Sequence, residues 1–391
     1  MGYIKNLIRK MFPWFSHIIL IFIWKFPHKK RIFLYVDYGL RDNLGAIYDY
    51  LIANSYYKKY KIICAFCSKK DIPQTCPVNV KYTGRVTGFI YFLFSGYCFY
   101  SFGFYPVKPA ARQKVINLWH GMPLKAIGYL ENGRSHYALN CFTHILITGE
   151  CYAPVMKKAF GCKDGQIIRN GQPKSDVLYK PLRNDLILLK KSYCKIILWL
   201  PTFRSSTIIP YDNETSSISM DCMQGEERAL ESFGKLNQFL SDCRVLMILK
   251  THPIQNLKRS CPELPVYSNI VYSKQLDIEN EYELMKAADA LLTDYSSAAF
   301  DYMLLDRPIG YIVDDFEEYK YKRGFVWEAA ANYMPGKKIC TYEDINEFIL
   351  ECVEGRDTFR TTRRKVNESV NQYTIPNNSR SLLEQTGVTA P

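Results

Sequence analysis

The stretch from Ala290 to Pro308, ALLTDYSSAAFDYMLLDRP, has the pattern of a buried strand, a polar turn and the start of a helix. The apolar residues 290–292 are followed by TDYSS at 293–297, and an apolar pattern with helical spacing continues to about Leu305. A helix start of this kind leaves about four backbone amides unpaired and concentrates about half a positive charge. The segment therefore predicts an anion-binding turn.

The side chains of this turn suit a nucleotide diphosphate. Ser296 and Ser297 offer hydroxyl groups as hydrogen-bond donors and are small enough for a phosphate to approach the backbone. Thr293 precedes them and is a further candidate for binding the nucleotide. Asp301 lies one helical turn beyond Ser297, where a carboxylate can accept from ribose hydroxyls. The simpler interpretation is that Thr293 and Asp294 only cap a helix. The segment alone therefore does not decide between a nucleotide site and an ordinary helix cap.

Apolar runs alternate with helical patterns along all 391 residues. Strands are predicted at residues 31–37, 61–67, 97–105, 114–118, 144–148, 195–200, 245–250, 270–272, 290–293 and 309–313. Helices are predicted between them, among others at residues 43–53, 150–160, 227–240 and 281–287. Two such series indicate an α/β protein with two Rossmann-like, doubly wound parallel sheets.

The first 31 residues account for much of the formal charge of +13. They contain seven Lys and Arg residues among aromatic and apolar ones, and the first acid is Asp37. This composition favours contact with an anionic membrane surface over a core-packing helix. The apolar part is too interrupted to span a bilayer, and nucleic-acid binding is disfavoured because the cations accompany Ile and Phe.

Two further features are assigned structural roles. Residues 88–107 have the length of a spanning helix, but their glycines, serines and Pro106 favour a helix to Phe94, a turn and a strand over a transmembrane segment.

The 13 cysteines form no disulfide framework, and Cys64 and Cys67 lie inside a strand-like run, which disfavours zinc or redox use. Free thiols indicate a reducing cytosol.

Two histidines follow predicted strands. His120 comes after the run 115–118 and precedes Gly121, while His252 comes after the run 246–249 with Lys250 two positions before it. Because ligands of doubly wound sheets bind beyond the carboxyl ends of strands, the two imidazoles fit one cleft shared by two domains.

The combination of motifs resembles the CDP-glycerol glycerophosphotransferase family of wall teichoic acid and capsule synthesis. The segments that carry the resemblance are WHGMPLK at 119–125, KTHP at 250–253, TDYSS with FDY and RP at 293–308, RGF at 323–325, Asp42-Asn43, GQPKSD at 171–176 and PTFR at 201–204. The sequence departs from the family pattern at Met122, Gln172, Lys174 and Val326-Trp327. The resemblance covers about residues 31–334.

The resemblance implies a GT-B-like fold, in which two Rossmann-like domains face a cleft and the C-terminal one holds the nucleotide. It also implies transfer of glycerol phosphate, or ribitol phosphate, from a CDP-activated donor to a hydroxyl of a lipid-linked glycan, with release of CMP. We accordingly predict a membrane-associating segment at 1–30, an acceptor domain at 31–185, a CDP-donor domain at 186–355 and a tail or helix at 356–391.

Each candidate residue has a predicted role. His120 accepts the proton of the acceptor hydroxyl, with Gly121 and Lys125 on the acceptor side. His252 contacts the diphosphate together with Ser296 and Ser297. Arg204 and Lys250 are further phosphate partners, although Lys250 can instead face solvent. A metal is not required for charge balance, although the sequence does not exclude the use of Mg²⁺. The acids at 314–318 are more typical of a solvated loop than of a metal site.

Two alternatives remain. A GT-B glycosyltransferase that uses a nucleotide sugar has nearly the same fold and strand-end sites. A non-catalytic membrane-surface protein with a degenerate nucleotide site is disfavoured by the two histidines and Asp301. The main prediction is a peripheral enzyme at the cytoplasmic face of the cell membrane.

Overall fold

The computed structural model describes residues 30–131, 138–201, 227–250, 266–278 and 280–391. The described residues form two compact units. The first contains residues 30–122, residues 138–176 and Gln372–Pro391, and the second contains residues 123–131 and the described part of Val177–Asn371. The units are therefore interleaved, since residues 123–131 and the last twenty or so positions each belong with a distant part of the chain.

The described residues contain the following regular elements. The strands are β1 (Arg31–Val36), β2 (Lys61–Phe66), β3 (Val80–Gly84), β4 (Tyr97–Tyr100), β5 (Lys114–Asn117), β6 (His144–Ile147), β7 (Ile167–Arg169), β8 (Lys195–Leu200), β9 (Val245–Leu249), β10 (Ile270–Tyr272), β11 (Ala290–Thr293), β12 (Ile309–Ile312) and β13 (Lys337–Ile339). The helices are α1 (Asp42–Ala53), α2 (Arg85–Leu93), α3 (Ala153–Phe160), α4 (Asn184–Ser192), α5 (Glu227–Asp242), α6 (Glu281–Ala287), α7 (Ala298–Tyr302), α8 (Phe316–Lys322), α9 (Tyr342–Glu354), α10 (Arg360–Val370) and α11 (Asn378–Thr386).

The first unit is built on a parallel seven-stranded sheet in the order β3-β2-β1-β4-β5-β6-β7. Its central strands are apolar runs because both faces are covered. One face packs against Leu44, Ile47 and Leu51 of α1 and against Leu382 and Leu383 of α11. The strand order reverses between β1 and β4, which makes the carboxyl ends of these strands the expected ligand position.

The second unit is built on a parallel six-stranded sheet in the order β10-β9-β8-β11-β12-β13. One face packs against Phe233, Leu236 and Leu240 of α5 and Ile345 and Phe348 of α9. Here the order reverses between β8 and β11, so the TDYSS turn follows a strand at the reversal point.

The predicted α/β class with two parallel sheets is confirmed, and each predicted strand is present within a few residues of its expected bounds. The largest error is β4, which ends at Tyr100 and not at residue 105, because Gly103 turns the chain at φ +52° and Pro106 follows. Strands β3, β7 and β13 were not predicted; each has five residues or fewer and an interrupted apolar pattern.

No helix in the described part of the chain is long and apolar enough to cross a membrane. Residues 88–107 contain the end of α2, a turn and β4, which agrees with the predicted helix, turn and strand. The predicted membrane-associating segment, apart from Lys30, lies outside the described residues.

The basic tail forms two helices, of which α10 belongs to the second unit and α11 to the first. Arg363 of α10 is 0% exposed, and its guanidinium pairs with Asp306 at 3.1 Å and with Asp357 at 3.0 Å. Asp306 also pairs with the exposed Arg360 and Arg364. Asp306 belongs to the DRP sequence at the end of the segment 290–308. The arginines of α10 therefore have a structural role, because they pair with this segment.

We expect Arg363→Met to lower the free energy of unfolding by roughly 2–3 kcal/mol, because it leaves two partly buried carboxylates without their shared guanidinium. Arg360→Met is the matched control; its side chain is 59% exposed in the ion pair with Asp306, and we expect a loss below about 1 kcal/mol. Urea unfolding followed by tryptophan fluorescence measures both. Equal losses would contradict the structural role of Arg363.

Candidate active site

His120 is presented by a strained turn at the carboxyl end of β5. Trp119 has φ +54°, a left-handed conformation that is uncommon for a bulky residue. Its amide donates to the side chain of Asn117 at 3.0 Å, an Asx-type turn that stabilises this backbone. Gly121 follows at φ +146°, where L-residues are strongly disfavoured.

A buried asparagine fixes the backbone before His120. The side-chain amide of Asn43 donates to the carbonyls of Trp119 at 2.9 Å and Leu118 at 3.4 Å, and to the Gln172 side chain at 3.1 Å. Its oxygen accepts from the Lys174 amide at 3.2 Å. Asn43 is 0% exposed, so these bonds form away from water and are costly to lose.

A buried lysine fixes the backbone of His120 itself. The Lys174 ammonium donates to the His120 carbonyl at 2.8 Å and pairs with the Asp42 carboxylate at 3.0 Å. Lys174 is 5% exposed. Because a buried ion pair must compensate for the loss of water, its stability depends on additional hydrogen bonds such as the one to the His120 carbonyl. Three successive carbonyls, those of Leu118, Trp119 and His120, are therefore held by Asn43 and Lys174.

The imidazole of His120 contacts two aromatic rings. The Phe102 ring, in the loop after β4, stacks on it with centroids 4.4 Å apart and an angle of 16°. The Trp119 ring lies 4.3 Å away at 36°. Phe102 in turn contacts the half-exposed Tyr38 edge-on at 5.4 Å. These contacts orient the imidazole at the carboxyl edge of the first sheet, beyond β5, which is the neighbour of β4.

In the second unit, the TDYSS turn has the predicted strand, turn and helix arrangement. Helix α7 begins at Ala298, and a 3₁₀ turn continues it to Leu305. The Ser296 hydroxyl accepts from the Ala298 amide at 3.3 Å. Within the described part of the chain, no group accepts from the backbone amides of Ser296 or Ser297, and both residues are half-buried. Two backbone donors therefore remain available at the reversal point of this sheet.

Two of the predicted donor-binding residues have internal partners. The Thr293 hydroxyl is buried and donates to the Leu200 carbonyl of β8 at 2.9 Å. Asp301 is 1% exposed and accepts from the Tyr282 hydroxyl of α6 at 2.6 Å. These contacts favour a supporting role for both residues beneath the turn, and direct contact of either with a nucleotide stays a prediction.

The tyrosine of the TDYSS turn joins it to the RGF segment. Tyr295 is buried, its hydroxyl donates to Asp315 at 2.7 Å, and its ring packs against Tyr319 at 4.4 Å and Phe325 at 5.4 Å. Aromatic contacts of this kind fix both ring positions. The RGF segment is therefore a packing partner of the candidate phosphate turn.

Lys125 lies in the second unit, next to the RGF segment. It pairs with Phe325 in an antiparallel bridge, flanked by a 2.9 Å bond from the Ala126 amide to the Gly324 carbonyl. Its ammonium lies 6.0 Å from the centre of the Tyr319 ring. Its contact with Tyr319 places Lys125 near the TDYSS turn in the second unit, and its predicted role on the acceptor side stays a prediction.

Of the three remaining predicted residues, only Lys250 lies in the described part of the chain. Lys250 follows β9, is half-buried, and its amide donates to the Trp199 carbonyl at 3.0 Å. It shares the carboxyl edge of the second sheet with the TDYSS turn, because β9, β8 and β11 are neighbouring parallel strands. Arg204 and His252 lie outside the described residues, so their roles stay predictions.

The acids after β12 have protein partners. Asp315 accepts from Tyr295, and Glu318 pairs with Lys322 at 2.7 Å. Among the residues that the structure describes, no group of three or more His, Cys, Asp or Glu side chains is arranged to hold a metal ion.

The sequence interpretation did not assign site roles to Asp42, Asn43, Gln172, Lys174 and Phe102. The first four belong to the DN and GQPKSD segments that carried the family resemblance, which was the available signal. The sequence contains no signal for a role of Phe102, because this residue lies in an ordinary aromatic run.

The sequence profile of the CDP-glycerol:poly(glycerophosphate) glycerophosphotransferase family matches residues 18–386. The chain belongs to this family. The predicted resemblance and the transferase class are thus confirmed.

Characterised relatives include enzymes named for glycerol phosphate and for ribitol phosphate. The teichoic acid glycerol-phosphate primase of Bacillus subtilis (strain 168) is 28% identical over 69% of this chain and 67% of its own length. The teichoic acid poly(glycerol phosphate) polymerase of Bacillus spizizenii is 26% identical over 85% and 86%. The ribitol-phosphate polymerase TarL of Staphylococcus aureus is 23% identical over 61% of this chain and 42% of its own length. Several relatives are thus considerably longer than the matched region.

Solved structures share the fold of this glycerophosphotransferase family member. The wall teichoic acid polymerase TagF superposes with a TM-score of 0.74 at 18% identity, over 98% of this chain and 97% of that one. S. aureus MnaA in complex with UDP gives a TM-score of 0.51 at 10% identity, over 93% and 98%. These likenesses concern the fold and confirm its predicted GT-B-like class.

We expect Lys174→Met to lower kcat about 10- to 100-fold while the KM for the donor changes less than about twofold, because the His120 carbonyl loses its donor and a misplaced catalytic group costs rate. Steady-state CMP release measures both constants. Asp42→Asn, which keeps the size of the side chain, should show a smaller effect of the same kind.

Lys157→Met is the control for Lys174→Met, since Lys157 forms a solvent-exposed ion pair with Asp164 in the same unit. It should leave both constants unchanged. A parallel rise in donor KM for Lys174→Met, or an equal effect of Lys157→Met, would contradict a positioning role for Lys174.

We expect the double variant Ser296→Ala/Ser297→Ala to weaken binding of a CDP-activated donor roughly tenfold or more, because hydrogen bonds to a charged phosphate are lost. Calorimetric titration measures the affinity. Ser192→Ala, at an exposed position of α4, is the control. Unchanged affinity in the double variant would show that the two hydroxyls make no contact with the diphosphate; the backbone amides are the same in both proteins.

Proposed function

We propose that this chain transfers glycerol phosphate from CDP-glycerol to a hydroxyl of a lipid-linked acceptor in teichoic acid or capsule polymer synthesis, releasing CMP. The observation that carries the proposal is the TDYSS turn, where the amides of Ser296 and Ser297 have no acceptor among the described residues and lie at the reversal point of the second sheet. Family membership supplies the reaction class.

In this proposal the donor diphosphate lies on the Ser296 and Ser297 amides and hydroxyls. Preorganised donors of this kind stabilise the charge that develops on the leaving phosphate, and each typically contributes about 3–4 kcal/mol in the transition state. Buried Tyr295 and the Thr293–Leu200 bond hold the turn in place before the donor arrives. His252, Arg204 and Lys250 would complete the contacts to phosphate.

The transfer forms one phosphorus–oxygen bond and breaks another. The acceptor hydroxyl attacks the phosphorus that carries glycerol, the bond to the bridging diphosphate oxygen breaks, and CMP leaves with that oxygen. His120 takes the proton of the attacking hydroxyl, for which a neutral imidazole is suited near neutral pH. Positioning dominates catalysis in such reactions, which gives the Asn43 and Lys174 contacts their importance.

We further propose that the reaction requires no dedicated metal, because the backbone donors of the turn supply the charge stabilisation. Mg²⁺ could accompany the donor as a counterion. Activity that persists in EDTA would support this part of the proposal, whereas activity restored only by Mg²⁺ would overturn it without affecting the transfer reaction.

CDP-ribitol is the alternative donor, since the relatives include enzymes named for ribitol phosphate. A nucleotide-sugar glycosyltransferase is the second alternative, because it uses the same fold. A lipid-linked acceptor places the enzyme at the cytoplasmic face of the cell membrane as a peripheral protein, and the basic segment at residues 1–30 supports that location.

The test is CMP release from CDP-glycerol, with CDP-ribitol and a UDP-sugar as comparison donors and a lipid-linked acceptor present. We expect turnover with CDP-glycerol, and we expect His120→Ala to lower it at least 100-fold while CDP-glycerol still binds, because a positioned general base contributes about 10²–10⁴-fold.

His144→Ala is the control, as His144 lies at the start of β6, away from the carboxyl edge of the sheet. It should retain activity. A decrease of less than about tenfold for His120→Ala would show that another group accepts the proton, and turnover with the UDP-sugar alone would overturn the donor assignment.

A further inference from the structure

A cluster of cations lies at the amino-terminal edge of the first sheet, opposite the edge that carries His120. We call it the basic edge and define it by Lys30, Arg31, Lys58, Lys61 and Lys81. Arg31 and Lys61 are the first residues of β1 and β2 and are direct neighbours in the sheet register. The Lys61 amide donates to the Lys30 carbonyl at 2.9 Å, which brings a third cation to the same place.

The hydrogen bonds of the neighbouring loop extend this edge to β3. The Asn79 side chain donates to the Tyr57 carbonyl at 2.7 Å, next to Lys58, and the Ile62 amide donates to the Asn79 carbonyl at 3.2 Å. The Lys81 ammonium then reaches the Tyr91 hydroxyl of α2 at 2.7 Å. These hydrogen bonds connect the residues of the basic edge from β1 to β3 and α2.

The basic edge lacks internal counter-charges. Among the described residues none of its five cations forms an ion pair, whereas Lys157, Arg169 and Arg380 of the same unit each pair with an acid. Like charges on directly opposed strand positions are unfavourable. An external anionic partner would remove this repulsion.

Tyr91 lies next to two of these cations. The Arg31 guanidinium carbon is 5.7 Å and the Lys81 ammonium 4.9 Å from its ring centre. The hydrogen bond from Lys81, and then the positive field of Lys81, Lys61 and Arg31, lower the pKa of the Tyr91 hydroxyl. An amphipathic ring among cations is typical of residues at a membrane–water interface.

Apolar side chains are exposed beside the cations. Val78, one residue before Asn79, is 82% exposed, and Ile90, next to Tyr91, is 57% exposed. Val86 lies one helical turn before Ile90 on α2 and is 86% exposed. Exposed apolar residues flanked by cations suit the boundary between lipid headgroups and acyl chains.

The basic edge is also where the predicted membrane-associating segment joins the sheet. That segment ends at Lys30, and β1 begins at Arg31, whose side chain donates to the Phe94 carbonyl at 3.1 Å. A segment that lies on an anionic bilayer would bring this edge close to the same surface.

We propose that the basic edge, with Val78, Ile90 and Tyr91, is a docking surface for an anionic phospholipid bilayer. Lipid phosphates contact the cations, and Val78 and Ile90 enter the headgroup region. The inference rests on the peripheral location proposed above, and it adds a contact surface made by the folded first unit to the contact made by residues 1–30.

The experiment measures co-sedimentation of the full chain with vesicles of phosphatidylcholine containing 30% phosphatidylglycerol, and with vesicles of phosphatidylcholine alone. We expect Lys61→Gln/Lys81→Gln to weaken partitioning to the anionic vesicles about 25-fold, since each cation near such a surface contributes about fivefold. Val78→Ser/Ile90→Ser should weaken it several-fold and should remain weaker at high salt, where charge effects are screened.

Lys158→Gln/Lys163→Gln removes the same charge from exposed positions elsewhere in the first unit and is the control. Partitioning of the Lys61/Lys81 variant equal to that of this control would overturn the proposal. So would weaker binding of a soluble polyanion with unchanged vesicle partitioning, which would identify the edge as a polyanion site.

CMP release from CDP-glycerol with a water-soluble acceptor separates this inference from the proposed function. The edge variants should keep that activity, because their substitutions lie at the edge opposite His120. Loss of vesicle binding with intact turnover supports the docking surface, whereas absent turnover in the unsubstituted chain with edge-dependent binding would contradict only the proposed reaction.

Discussion

Three consecutive carbonyls, those of Leu118, Trp119 and His120, accept hydrogen bonds from two buried side chains, Asn43 and Lys174. A strand that ends inside a protein leaves backbone groups that must find partners. Here the partners come from distant parts of the chain, and satisfying the backbone fixes the histidine at the same time. The left-handed Trp119 persists because these surroundings over-determine it. The same hydrogen bonds therefore satisfy the end of the strand and fix the backbone of the candidate base His120.

The second unit meets the same constraint differently. Thr293 satisfies the Leu200 carbonyl of the adjacent strand, Ser296 accepts from the first amide of α7, and Tyr295 and Asp315 close the turn. What remains are two backbone amides directed to no protein acceptor among the described residues. A site made of backbone donors needs small residues more than charged ones, which explains why serines occupy it. The family membership and this turn together support the proposed transfer of a phosphate-linked group.

The charges of the protein serve different purposes in different places. Arg363 is buried and neutralised by Asp306 and Asp357, so the basic tail is part of the fold. The cations at the starts of β1, β2 and β3 have no such partners among the described residues, and the acids nearest to them in sequence, Asp37 and Asp71, follow the opposite ends of the strands. A formal charge of +13 therefore gives no information about function until each cation is placed.

The sequence by itself determined the two parallel sheets, because apolar runs separated by helical patterns have few other solutions. It also identified the TDYSS turn and the strand-end position of His120, since both are local features. Short or irregular strands such as β3, β7 and β13 escaped it, because neighbouring strands and not their own pattern stabilise them. Only the tertiary structure brought Asn43, Phe102 and Lys174 to His120, gave Asp301 a partner in Tyr282, and grouped Lys125 with the second unit. These contacts join different elements of the fold, and they depend on strand order and packing, which no local pattern encodes.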